Sequence, residues 1–195
     1  AYSELSGLIS MARRRSPKGE YRVTLRDVIF HLKRCFLIWL PQMNDENSHA
    51  YGLQLKRLCK DRLWLGVNHL LGNNEVQRYL RLQQLAQELD IPMLACGDVR
   101  MHTAKRKPLH DVFTALYHST SIAQLGRRRL GNSQQHLRTI DKLQWLYPPA
   151  LLEQTLHIAR LCNFSLDELR YEYPEEVVPS GYHPNQYLRE LVTTG

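Results

Sequence analysis

The sequence predicts an α/β fold built on a parallel sheet, and three observations carry that expectation. LWLGV (63–67) and MLAC (93–96) are short apolar runs of strand length. Between them Val76, Leu80, Leu82, Leu85, Ala86 and Leu89 recur at helical spacing, opened by Gly72-Asn73-Asn74 and closed by Asp90-Ile91-Pro92. Strand, helix and strand in that succession form a βαβ unit, whose crossover makes the two strands parallel.

The other elements follow in chain order. Ser3 reads as the N-cap of a first helix carrying Leu5, Leu8, Ile9 and Ala12, which runs out into Arg13, Arg14 and Arg15 before Pro17. CFLIWLP (35–41) is a strand-length apolar run, and the polar QMNDENSH (42–49) reads as a loop. Leu53, Leu55 and Leu58 predict a short helix. After the βαβ unit the chain turns helical: Leu109, Val112, Phe113 and Leu116 make one stripe, and Asp141 reads as the cap of a segment ending at Tyr147. Pro148-Pro149 then starts a longer helix through Leu152, Leu156 and Ala159 to Cys162. The tail from Phe164 is acidic, aromatic and broken by prolines, as an extended connector is, before a last helix from about Pro184.

Composition narrows the function classes. A hydrophobic content of 43%, a mean hydropathy of -0.43 and the lack of any apolar run near the ~20 residues of a membrane span exclude a membrane helix. Four separated cysteines (Cys35, Cys59, Cys96, Cys162) among apolar neighbours predict buried free thiols in a cytoplasmic setting. The formal net charge of +7 points to an anionic partner, with nucleic acid foremost. The chain opens on Ala1 without an initiator methionine and stops at Gly195 just past a helix, which reads as a piece of a longer protein.

In parallel α/β folds chemistry collects at the C-terminal ends of strands, where Asp98 stands after Met93–Cys96. With His102 and His110 it forms the one metal or acid–base set the spacing offers: Asp98 as an oxygen ligand and a histidine as a nitrogen ligand. The structural alternative makes Asp98 a turn cap and leaves both histidines solvated. Arg100 lies between them, and a guanidinium cannot coordinate a cation but pairs well with a carboxylate or phosphate. Two basic runs, Arg13-Arg14-Arg15 and Arg127-Arg128-Arg129, joined by Lys105-Arg106-Lys107, read either as phosphate contacts or as solvated loops. Trp64, Trp145 and the ten tyrosines lack the spacing of a stacking platform and read as core. No Gly-rich phosphate loop, Ser/His/Asp set or nucleophile elbow is present, so no catalytic residue is assigned.

Taken together, ISMARRRSPKGEYR (9–22), LWLGV (63–67), ACGDVRMH (95–102), YPPALLEQTLHIARLCNFSLDELRYEYPEEVVPSG (147–181) and NQYLRELVTTG (185–195) resemble the error-prone branch of bacterial C-family DNA polymerase alpha subunits. The matching region is the later part of the N-terminal polymerase-and-histidinol-phosphatase (PHP) domain. The resemblance implies a partial, distorted βα barrel over 1–165, then a connector and first helix over 166–195 leading toward the polymerase palm. The family's loop pattern is Gly-Asp-Val-His with aspartate and histidine as metal ligands; here Asp98 matches and Arg100 departs. The family's early histidine-rich motif would precede Ala1, and its acidic palm motifs would follow Gly195. The resemblance therefore implies a non-catalytic PHP scaffold without its own cofactor, from a cytoplasmic polymerase that uses Mg, tolerates DNA damage and contacts DNA and its own palm. The alternatives are a metal-dependent phosphoesterase or proofreading nuclease, and a plain basic nucleic-acid-binding module. Any DNA binding is expected to be weak, indifferent to sequence and steeply salt-dependent.

Overall fold

A computed structural model describes residues 1–42, 46–170 and 178–194. The chain divides into two units, residues 1–161 and 162–195. The first holds helices α1 (Tyr2–Arg14) and α2 (Leu25–His31), strand β1 (Leu37–Trp39), helix α3 (Ser48–Cys59), β2 (Leu63–Val67), α4 (Glu75–Leu89), β3 (Met93–Ala95), α5 (Lys107–Tyr117), α6 (Ile140–Leu146) and α7 (Pro149–Leu161). The second holds a single turn at Leu166–Glu168 and α8 (Pro184–Thr194).

The fold is mixed α/β, mostly helical, around one parallel sheet in the order β1-β2-β3. Leu37 sits opposite Leu63, and Leu65 opposite Met93, so each strand lies beside its neighbour in sequence. A helix follows each of the first two strands, giving two consecutive βα crossovers wound in one direction with no reversal of strand order. The βαβ unit read from the sequence is the second of these.

The core is set by β2, all five of whose residues are buried. Leu63, Leu65 and Val67, two residues apart and so on one face, join Leu55 and Cys59 of α3, Leu82, Ala86 and Leu89 of α4, and Leu151 of α7 in one apolar cluster. Trp64 points to the other face, edge-on to Phe36 with ring centroids 5.6 Å apart, and its indole N–H donates to Gln154 at 3.2 Å. α3 can lie this close because residue 52 is glycine: a Cβ there would come within 2.7 Å of the Trp39 ring and closer still to Leu89. α4 ends as the sequence suggests, with Asp90 in the left-handed conformation (φ 50°) and its N–H capping the carbonyl of Gln87 at 3.2 Å. Helices α1 and α2 are tied by ion pairs at both ends, Arg15 to Asp27 and Arg34 to Glu4. Hydrogen bonds from Arg15 and Thr24 hold the Asp27 carboxyl well below the usual carboxylate range.

Several sequence expectations change. Ser3 lies inside α1, whose N-cap is Ala1, and Thr139 rather than Asp141 caps α6, accepting from the Lys142 N–H at 3.4 Å. In both cases a polar residue of the first turn resembles a cap when only composition is read. Of the run at 35–41 only Leu37–Trp39 forms a strand, which sits at the sheet edge with Ile38 exposed. Of the apolar face of α4, Val76 and Leu80 are exposed and only its later turns pack. Trp145 is 72% exposed, with the Lys142 ammonium 3.9 Å over its ring, so it is not core. Several tyrosines, Tyr21, Tyr51 and Tyr117 among them, are exposed as well. All four cysteines are free, but only Cys59 is buried and Cys162 is exposed. No helix among the described residues is long and apolar enough to cross a membrane. Part of the loop at 42–49 and part of the connector fall at 43–45 and 171–177, outside the described residues.

The close approach at residue 52 generates a test. Gly52→Val should destabilise the first unit by about 1–3 kcal/mol through overpacking against the Trp39 ring. In a chain of this size that lowers the melting temperature by roughly 2–4 °C per kcal/mol. Thermal unfolding followed by circular dichroism measures it, and an unchanged transition would contradict the packing described.

Candidate functional site

The C-terminal ends of β2 and β3 release the chain side by side, delivering Asn68 and His69 from one strand and Cys96, Gly97 and Asp98 from the other. Tyr147, arriving between α6 and α7, closes the gap between them. Its hydroxyl donates to the Cys96 carbonyl at 2.9 Å and accepts from the His69 N–H at 3.1 Å. Burial pushes the Tyr147 phenol up from its ordinary value, while the His69 N–H and Arg138 pull it down less strongly. The phenol thus stays protonated, as donation to a carbonyl requires.

Around this clamp lies a network that sequence reasoning missed. The His69 ring sits 4.9 Å from that of Tyr147 and 5.6 Å from that of Tyr79, and its Nδ1 lies 3.3 Å from Glu75. Arg78, one turn along α4, donates to the Asn68 carbonyl at 2.6 Å and also reaches the Asn68 side chain. Arg138 donates to the His69 carbonyl at 2.6 Å, and Asn132 to that of Leu70 at 2.7 Å. The signal was available: Asn68-His69 follows β2 as Asp98 follows β3, and Glu75 and Arg78 are spaced i,i+3 in the first turns of α4.

Asp98 occupies the expected strand end, with its partners defined. The backbone there is left-handed (φ 41°), which curls the loop so that side chains 98 and 100 meet. Arg100 Nε lies 3.3 Å from Asp98 Oδ1, and Gln135 donates to Asp98 Oδ2 at 2.6 Å. Gln135 is itself buried, and its carbonyl accepts from the N–H groups of Arg100 at 2.9 Å and Met101 at 3.1 Å. His102 and His110 come together elsewhere, in a cleft of about 240 Å³ shared with Arg100, Arg106, Leu109 and Phe113. The structure therefore groups the histidines with arginines, while the Asp98 carboxylate is held by Gln135 and Arg100. Among the described residues no three His, Cys, Asp or Glu side chains cluster as a metal site would need. A larger groove of about 680 Å³, between α4 and α7, opens at the opposite, N-terminal end of β3 and takes no part in this arrangement.

The basic runs divide. Arg15 is committed to Asp27, and Arg129 Nε lies 3.0 Å from Asp111, whereas Arg13, Arg14, Arg127 and Arg128 are exposed. Asp111 is only 3% exposed and reverses the expected polarity of α5. It faces inward with Lys107 at 2.8 Å, while the stripe Leu109, Val112, Phe113 and Leu116 faces out. Burial alone would raise the Asp111 carboxyl, but Lys107 and Arg129 outweigh it and hold it below its ordinary value.

Comparison with known proteins now bears on these residues. An error-prone DNA polymerase of Teredinibacter turnerae is 47% identical over 198 residues, covering all of this chain. Proteins of the same name from Saccharophagus degradans and Vibrio parahaemolyticus are 47% and 42% identical over 195 residues, again covering all of it. The chain is homologous to one segment of the error-prone DNA polymerases. It spans 19% of the length of each of these three relatives. No protein-family model matches it.

Two outcomes test the site. Tyr147→Phe leaves the His69 N–H without its acceptor and should cost about 1–3 kcal/mol. Amide exchange at His69 should accelerate with it, and an unchanged rate would show that the clamp holds nothing. Asp111→Asn should cost about 1–3 kcal/mol near neutral pH. Because the folded-state pKa of Asp111 is lowered, its contribution is present above the unfolded value near 3.9 and fades as pH falls through the folded value. The stability gap between the native chain and Asp111→Asn should therefore be flat above about pH 5 and close below about pH 4. A gap that widens on acidification would reverse the assignment.

Proposed function

We propose that the chain is a segment of an error-prone DNA polymerase, a DNA-directed nucleotidyltransferase that extends primers past damaged bases. The observation that carries this reading is identity of 42–47% along the whole chain to proteins of that name. On this reading residues 1–165 are the later part of a PHP domain and 166–195 a connector leading to the palm. Three parallel strands in sequence order, each crossover carrying a helix, support it, since that is how an arc of a βα barrel is wound. Magnesium ions would supply phosphoryl-transfer chemistry in the palm, outside these residues. DNA and the palm are the partners, and the compartment is the cytoplasm.

Within that polymerase the segment acts as a non-catalytic scaffold. Arg100 supports this, because it brings a permanent positive charge to the carboxylate that a cation would otherwise claim. The donor set does not suit a metal: Asp98 is engaged by Gln135 and Arg100, and the two histidines share their cleft with two guanidiniums.

The test has two arms. A protein extended to the full length of the relatives should elongate a primer across an abasic site with magnesium, and its failure to extend any primer would defeat the polymerase reading. The 195-residue chain alone should leave bis-p-nitrophenyl phosphate intact with magnesium, manganese or zinc. Metal-dependent cleavage abolished by Asp98→Ala would replace the scaffold with a phosphoesterase or nuclease.

A further inference from the structure

Resting on the polymerase reading, we propose that the cleft between the turn at 100–106 and α5 is a binding site for a single strand of nucleic acid. Its phosphates would meet Arg100 and Arg106, and a base would lie against Phe113.

Charge is the first observation. Residues 98–129 hold seven arginines and lysines against two aspartates, so this stretch carries +5 of the chain's net +7. Both aspartates are occupied, Asp98 by Gln135 and Arg100, and Asp111 by Lys107 and Arg129. The contact between the pair is Arg100 Nε to Asp98 Oδ1 at 3.3 Å, and no described residue hydrogen-bonds the terminal nitrogens of that guanidinium. Arg106 is exposed and likewise has no side-chain partner among them. Two guanidiniums on one cleft, with His102 and His110 adding ring nitrogens, form an array of donors that suits phosphate oxygens and repels a cation.

Shape and apolar surface are the second. The cleft, about 240 Å³, is lined on one side by Leu109 and Phe113, and Phe113 is 62% exposed. Tyr117, one turn further along α5, is 75% exposed. Aromatic faces beside a basic groove are what sequence-tolerant single-strand binding uses, because every base has a stacking face while the cations follow the backbone. A purely apolar protein surface is a worse occupant, since it would strip water from two guanidiniums without giving them acceptors. An acidic peptide would satisfy the charges, and it is the competing outcome.

The experiment measures fluorescence anisotropy of a labelled oligothymidylate of about 12 nucleotides, within the ~4–16 that one binding fold covers, against salt. Arg100→Gln with Arg106→Gln should weaken binding about tenfold or more and lower the salt slope by about two. Phe113→Ala should weaken it roughly 5-fold to 100-fold. Arg57→Gln, an exposed charge on α3 outside the cleft, should change it by less than about twofold. Arg100→Lys with Arg106→Lys keeps both charges and should retain most of the binding, and circular dichroism of each variant separates lost contacts from lost folding.

The proposal is overturned if the oligonucleotide does not bind, if Arg57→Gln costs as much as the cleft pair, or if Phe113→Ala is silent. It is also overturned if poly-glutamate binds as tightly as the oligonucleotide, which would assign the cleft to an acidic protein. Primer extension by the longer protein with no oligonucleotide binding here defeats the cleft alone. Oligonucleotide binding without primer extension defeats the polymerase reading alone.

Discussion

The arrangement of the strand ends depends on one buried hydroxyl. β2 and β3 are short, and beyond Val67 and Ala95 their backbones leave the sheet with a carbonyl and an N–H that need partners. Tyr147 supplies both, donating to Cys96 and accepting from His69. Because Tyr147 stands at the junction of α6 and α7, the same contact fixes where α7 begins. From there Thr155 donates to the Ala95 carbonyl at 3.1 Å, and Leu151 enters the core. One residue thus couples the parallel sheet to the helices that follow it.

The sheet and its first flanking helices were legible in the sequence because periodicity reports burial directly. β2, α4, β3, α7 and α8 all lie where apolar spacing and Gly or Pro punctuation place them. What failed was polarity decided by distant partners. The stripe on α5 has core periodicity, yet Asp111 is the residue turned inward, because Lys107 and Arg129, four and eighteen positions away, neutralise it there. No local pattern announces the second of those partners. The strand-end network was missed for a related reason. His69 and Asp98 meet Gln135, Arg138 and Tyr147 from a stretch far along the chain, and the hints were the adjacency of Asn68-His69 to a strand end and the i,i+3 spacing of Glu75 and Arg78. Asp98 and Arg100 were legible as a pair, since a carboxylate at a strand end beside a guanidinium has one economical solution.

Two aspects of the strand-end region pull in one direction. Polar groups at the ends of β2 and β3 are satisfied internally: Asn68 by Arg78, the His69 carbonyl by Arg138, and Asp98 by Gln135 and Arg100. A group already bonded on this scale must surrender those bonds to take a ligand, and each surrendered bond to a charged partner costs about 1.5–3 kcal/mol. Arg100 and Arg106, by contrast, keep terminal nitrogens that no described residue occupies.

It follows that the charge at residue 100 changes what this end of the fold can attract. With a neutral imidazole there, Asp98 would keep the Gln135 amide but lose its guanidinium partner. With Arg100, the pair is neutral, and the surplus cations Lys105, Arg106, Arg127 and Arg128 are left unopposed. The field then favours anions, and Arg100 itself lines one of the clefts at this end. On the proposed reading, one guanidinium both holds the carboxylate and offers donors to the cleft beside it.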